Sequence, residues 1–299
     1  MSFEDLPPLP PMFHPEAAGY AARISEKAAA AMRECRTRLD VAYGEDYWQR
    51  LDVYLPPEAR GPGPFPVLCY IHGGAWSNGC KEWMGFMAPA LVDAPMVFVS
   101  MTHRRAPQVR MPAMVDDCCR ALSWVHRNIA ALQGDPARLH VGGHSAGAQL
   151  ASLLALRADL LARHGIPQSS IRCCLPTSGT FDFRGFAAKA GGVEAQVLGN
   201  VLPAPDQAWE WSPLRAIDQT RVPFYVTWGE RDFPRVVEQG RIFAAALAAT
   251  PGRVRSEEFP GFTHFTVNED AGRRDGAWCR AARAIVTSTA QKITFEDNQ

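Results

Sequence analysis

The stretch VGGHSAGAQLA, residues 141–151, sets Ser145 between Gly143 and Gly147, where an apolar run ends and an alanine-rich one begins. A Gly-x-Ser-x-Gly arises from composition alone in roughly one chain of this kind in ten, so the pattern needs a physical reason. A strand that turns sharply into a helix supplies one. The residue at the tip is forced into a strained backbone conformation, and the positions two before and two after it must be small because strand and helix close on each other there. On this reading a strand ends at Gly143 and a helix begins beyond Ser145.

The flanking sequence continues the same alternation. PVLCYI (66–71), MVFVSM (96–101), RLHVGG (138–143), IRCCLPTSG (171–179), FYVTWG (224–229) and VRSEEF (254–259) read as strands, and 112–131, 145–163, 235–249 and 275–292 as helices. Apolar strands alternating with helices predict an α/β fold, a mostly parallel sheet covered on both faces. Upstream, TRLDVAYG and QRLDVYLP flank a Gly-Glu-Asp turn and predict an antiparallel hairpin. Residues 1–37, a proline-rich lead followed by a helix from Pro15 to Arg36, form an N-terminal segment expected to pack on the main domain, 38–299. Residues 181–215, rich in Gly, Pro and aromatics, read as a lid-like insertion or pocket wall.

Composition narrows the function classes. The chain has 299 residues, 47% of them apolar, enough for a large core. Its 31 basic and 31 acidic residues give zero net charge, and no basic run occurs, which argues against nucleic acid or an anionic membrane as a partner. No apolar stretch approaches the roughly 18 residues of a membrane span. The opening MSFEDLPPLPPMF lacks the apolar centre of a signal peptide, so a soluble, cytoplasmic protein is expected. Eight cysteines without a Cys-x-x-Cys fit reduced, buried thiols. No His/Cys spacing suits a metal, and nothing calls for a cofactor. A homodimer is left open.

In an open α/β sheet, ligands bind beyond the carboxyl ends of the strands. Those ends carry HGGAW (72–76), the Ser145 turn, GERDFP with Asp232, and GFTHF with His264. Their order, Ser, Asp, His, is that of the α/β-hydrolase arrangement. A serine hydroxyl is a poor nucleophile until an imidazole takes its proton, which is the part expected of His264. Asp232 would hold that imidazole in one tautomer, and the N–H groups of Gly73, Gly74 and Ala146 would receive the oxyanion. Glu230, two residues from Asp232, is the rival carboxylate. His72 is expected to brace the glycine loop and His144 to support the site without touching the serine hydroxyl. Asp116 and Asp117 are expected to act within their own helix. Trp76, Phe181, Trp209 and Trp211 are candidates to line an aromatic substrate pocket.

The segments HGGAW, SMTHRRAP (100–107), MPAMVDDCCRALSWVHRN (111–128), GGHSAGAQLA (142–151) and GFTHF (261–265) resemble the kynurenine formamidase (arylformamidase) group of α/β-hydrolases, neighbours of the hormone-sensitive-lipase-like esterases. The resemblance spans roughly residues 40–290. It implies a nucleophile at Ser145, an acid at Asp232, a base at His264 and oxyanion donors at Gly73, Gly74 and Ala146. It further implies hydrolysis of a small amide or ester, an aryl formamide such as N-formylkynurenine in first place and a short-chain carboxylic ester in second. A non-catalytic binding protein on the same fold is the minor alternative, and such proteins usually lack a triad member. Relatives commonly place Tyr-Arg-Leu before Ala-Pro, where this chain has His103, Arg104 and Arg105. That difference bears on the substrate surface.

Overall fold

The computed structural model describes residues 6–288 except 13, 188, 190 and 219. Eight strands form one sheet: β1 (Arg36–Ala42), β2 (Arg50–Leu55), β3 (Phe65–Ile71), β4 (Val97–Met101), β5 (Gly134–His144), β6 (Ile171–Thr177), β7 (Phe224–Arg231) and β8 (Val254–Thr263). Their spatial order is β1-β2-β4-β3-β5-β6-β7-β8. The β1–β2 and β2–β4 pairs are antiparallel and the rest parallel. Seven strands thus end on one edge of the sheet, β2 running the other way, and the expected hairpin lies at its margin.

The parallel strands are apolar throughout because both faces are covered. Alternate residues go to opposite cores: Val67, Cys69 and Ile71 of β3 to one, Leu68 and Tyr70 to the other. The same period of two runs through β7, with Phe224, Val226 and Trp228 on the first face and Tyr225 on the second. The first face is covered by the helices Met111–Asn128, Ala146–Leu156 and Pro234–Ala248, the second by Pro15–Glu34 and Ala277–Thr287.

The N-terminal helix, Pro15–Glu34, buries Tyr20, Ala21, Ile24, Ala28 and Ala31, a single stripe at helical spacing. It packs against the second face beside Trp83, Phe86 and Trp278. The first five residues of the proline-rich lead, and residues 289–292 of the expected last helix, lie outside the described residues. The expected helix over 145–163 is two, Ala146–Leu156 and Ala158–Arg163, because Arg157 leaves the helical region at φ −101°, ψ 77°. Among the described residues no helix is long and apolar enough to cross a membrane.

Candidate active site

Ser145 sits where β5 passes into the helix Ala146–Leu156, with φ 55° and ψ −118°. That conformation is rare for a residue with a side chain, and the surrounding chain holds it: Ser145 N donates to Thr177 O at 2.9 Å. A Cβ on Gly143 would overlap the Gly147 carbonyl, and one on Gly147 would overlap that of Ile71. The two glycines that framed the sequence question are therefore required by contact between strand, helix and the neighbouring strand.

Ser145 and the ends of β7 and β8 come together. His264 Nε2 lies 3.0 Å from Ser145 Oγ, and His264 Nδ1 lies 2.8 Å from Asp232 Oδ1. Asp232 also accepts from Phe233 N at 2.7 Å and, on its other oxygen, from Ser178 Oγ at 2.5 Å. Burial alone would raise the Asp232 pKa. The adjacent His264 and the hydrogen bonds from His264, Ser178 and Phe233 outweigh it and hold the carboxyl below the usual carboxylate range. The rival, Glu230, is exposed and turned away, its Oε2 accepting from Gly261 N at 2.7 Å.

The glycine loop lies against the serine: a Cβ on Gly73 would come within 3.2 Å of Ser145 Cβ. Gly74 has φ 126°, and its carbonyl accepts from Ser77 N and Asn78 N, which turns the loop back on itself. Gly73, Gly74 and Ser145 line one cavity of about 370 Å³. Ala146 N is the first amide of the helix that starts at the serine, where an N–H has no intrahelical partner.

The supporting histidines are buried. His72 Nδ1 lies 2.8 Å from Gly73 O and its ring stacks on His103, centroids 4.9 Å apart. His144 Nε2 lies 2.8 Å from the carbonyl of His264, so it steadies that residue through the backbone. Burial, followed by the proximity of His264, pushes His144 down to about 3 and keeps it neutral. Asp117 departs from the local role expected for it. It is fully buried and holds Arg104 by three hydrogen bonds, two from the guanidinium at 2.7 and 2.9 Å and one from the backbone N at 2.9 Å, tying the helix Met111–Asn128 to the loop after β4.

Of the four pocket candidates, only Trp76 lines the cavity with Ser145. Its indole is 2% exposed, meets Phe183 edge-on and donates to Gln149 Oε1 at 2.9 Å. Phe181 instead stacks on Phe243 at 4.0 Å in the core, Trp209 lies under the Arg184 guanidinium, and Trp211 packs on the first-face core. Aromatic content there serves packing, because a long irregular segment needs its own anchors. The cavity wall comes in part from residues the sequence did not single out: Tyr20 and His14 of the N-terminal segment, Phe186 and Glu194 of the insertion, and Phe233, Arg235 and Phe265. Ser178 was also missed, although a serine after an apolar strand, with φ 54°, sits at another carboxyl end. Among the described residues no group of His, Cys, Asp or Glu is arranged to hold a metal ion.

The BD-FAE family pattern matches residues 51–247, a span that contains Ser145 and Asp232. The chain belongs to the BD-FAE family. This BD-FAE protein is 29% identical over 257 residues to a kynurenine formamidase from Salmo salar, covering 82% of this chain and 81% of that one. It is 26% identical over 243 residues to the isoprenylcysteine alpha-carbonyl methylesterase ICME of Arabidopsis thaliana, covering 77% of this chain and 56% of that one. The chain spans half, or little more, of the length of the Arabidopsis thaliana methylesterases it matches. Among solved structures, the carboxylesterase EstE1 from a metagenomic library matches with a TM-score of 0.69 at 22% identity, over 91% of this chain and 97% of that one. That likeness shows the α/β-hydrolase fold.

Proposed function

We propose that this BD-FAE protein is a serine hydrolase that cleaves a small aryl amide, an aryl formamide such as N-formylkynurenine, through an acyl-enzyme. The observation that carries the reading is the unbroken chain from Asp232 through His264 to Ser145 Oγ, opening on a cavity of about 370 Å³ with an apolar, aromatic-rich wall. Ser145 Oγ attacks the formyl carbon while His264 Nε2 takes its proton. Asp232, charged at neutral pH, keeps His264 Nδ1 protonated and stabilises the imidazolium. The amides of Gly73, Gly74 and Ala146 receive the oxyanion, each worth roughly 3 kcal/mol of barrier. His264 then returns the proton to the aryl nitrogen as the C–N bond breaks. Water, deprotonated by the same histidine, attacks the formyl-enzyme and releases formate and Ser145.

The formamide assignment draws support from the salmon relative, matched over about four fifths of both chains. A short-chain carboxylesterase is the second reading, supported by the 30% identity to the esterase LipQ of Mycobacterium tuberculosis. All eight cysteines are free, seven of them buried, which supports a reducing, cytoplasmic location. Purified protein tested against N-formylkynurenine and aryl esters of rising acyl length separates the two activities. The formamide reading expects kcat/KM for N-formylkynurenine to exceed that for every ester; hydrolysis of acetyl esters alone would replace it by the second reading.

A further inference from the structure

The cavity in front of Ser145 is walled mainly by apolar and aromatic groups, yet one ion pair is set into it. Among the described residues lining it, Glu194 and Arg235 are the two with a carboxyl or guanidinium side chain. Arg235 Nη2 lies 2.5 Å from Glu194 Oε1, with the side chains 40% and 28% exposed. Each is held from a second side. Glu194 Oε2 accepts from Ala187 N at 2.6 Å, and the Arg235 guanidinium lies 4.9 Å from the centroid of the Phe186 ring. Arg235 follows Phe233 by two residues, and the Phe233 ring stands 4.6 Å from the ring of His264. An aromatic surface thus connects the reacting end of the cavity to the ion pair.

An occupant large enough to fill the cavity covers this pair. An apolar occupant would strip water from both charges and return nothing, which is costly for a half-exposed pair. A ligand with one charge would satisfy one member and repel or desolvate the other. A ligand with adjacent opposite charges replaces water at both, with its carboxylate on Arg235 and its ammonium on Glu194. Since the pair is neutral as a unit, it favours a head group that is also neutral as a unit. The α-amino acid zwitterion is that chemistry, and Phe186 and Phe233 lie where an aromatic side chain would pass towards Ser145.

We propose that Glu194 and Arg235 form a recognition site for the zwitterionic head of an aromatic α-amino acid whose ring bears the bond to be cleaved. The proposal rests on the aryl-formamide reading and gives it a selectivity: the head group, as well as the formyl group, is read. It also assigns a use to the insertion, which brings Glu194 to the cavity.

Calorimetric titration tests the site without catalysis. Wild-type protein is titrated with L-kynurenine, with kynuramine, which lacks the carboxylate, and with 4-(2-aminophenyl)-4-oxobutanoate, which lacks the ammonium. L-Kynurenine should bind at least about tenfold more tightly than either, the return expected from one charge-assisted hydrogen bond. Arg235→Gln and Glu194→Gln should each erase that advantage. In turnover, both should lower kcat/KM for N-formylkynurenine about tenfold more than for formanilide, which has no head group. Equal affinity of wild-type protein for all three ligands would overturn the proposal. So would equal losses on both substrates, the mark of a pair that merely latches the insertion to the helix Pro234–Ala248. If L-kynurenine binds selectively but no formamide is cleaved, the head-group site stands and the formamide reading falls.

Discussion

Trp76 joins the glycine loop to the core, and replacing it should separate two effects. Its indole N–H is bonded to Gln149 Oε1, a side chain with no exposed surface that also donates to Trp211 O at 3.0 Å. Trp76→Phe keeps most of the ring and leaves Gln149 Oε1 buried and unpaired, a loss of about 1–3 kcal/mol. Gln149→Met leaves the indole N–H and the Trp211 carbonyl without their partner, at a similar or larger cost. The double variant removes both ends of the Trp76–Gln149 bond, so its loss should fall short of the summed single losses by about 1 kcal/mol or more. Urea unfolding with unchanged m values gives all three numbers. Additivity to within about 0.5 kcal/mol would mean that the bond contributes nothing and the loop is held otherwise. Because Trp76 also lines the cavity, Trp76→Ala should cost about 3–5 kcal/mol and raise kcat/KM for hexanoyl relative to acetyl esters. A destabilised variant with an unchanged chain-length profile would refute its place on the acyl side.

Asp232→Asn should lower kcat by around 10⁴-fold, while Glu230→Gln, whose carboxylate faces Gly261 N, should leave it within about threefold of wild type; the reverse ranking would reassign the acid. Ser178→Ala removes one of the hydrogen bonds holding the Asp232 carboxylate and should cost about 1.5–3 kcal/mol of stability at pH 7; urea unfolding reads it, and no loss would mean that Ser178 does not support the carboxylate. Acid should weaken the fold through its buried histidines. Burial pushes His103 down to about 4, and His140 and His144 to about 3, against about 6.5 in the unfolded chain. A folded value below the unfolded one gives stability that is complete above pH 6.5 and lost as pH falls through the window towards the folded value. Asp52, raised to about 6 by burial, opposes them with a contribution of the other sign. Burial also pushes His72 well below its ordinary value, so four histidines outweigh the one carboxylate and stability should fall steadily between pH 6 and 4; a urea midpoint that stays flat across that window would contradict it.

The sheet was legible because parallel strands buried on both faces must be apolar along their length, so PVLCYI and FYVTWG announce themselves. The meeting of Ser145, Asp232 and His264 was legible because the fold brings the carboxyl ends of the parallel strands to one edge, which converts their order into proximity. The cavity wall was not. Phe181, Trp209 and Trp211 have the composition of a pocket, but composition does not distinguish an aromatic that meets substrate from one that anchors a loop. Tyr20, Glu194, Phe233 and Arg235 meet across more than two hundred residues of chain, and no local spacing encodes that meeting. Ser178 was hidden for the same reason, since its partner Asp232 stands just past the end of the adjacent strand. The local role expected of Asp117 failed because Arg104, its partner, approaches from the loop after β4 and not from its own helix.

The most direct measurement is the site and rate of labelling by a fluorophosphonate, followed by mass spectrometry of the intact and digested protein. Wild-type protein should take up one label, on Ser145, because among the described residues it is that hydroxyl that lies 3.0 Å from an imidazole held in turn by a carboxylate. Ser145→Ala should take up none and lose hydrolysis by a factor on the order of 10⁶, while His264→Ala should still carry an intact Ser145 but react far more slowly. Stoichiometric labelling of Ser145→Ala, or a label found on any other residue of the wild-type protein, would contradict the assignment of Ser145 as the nucleophile.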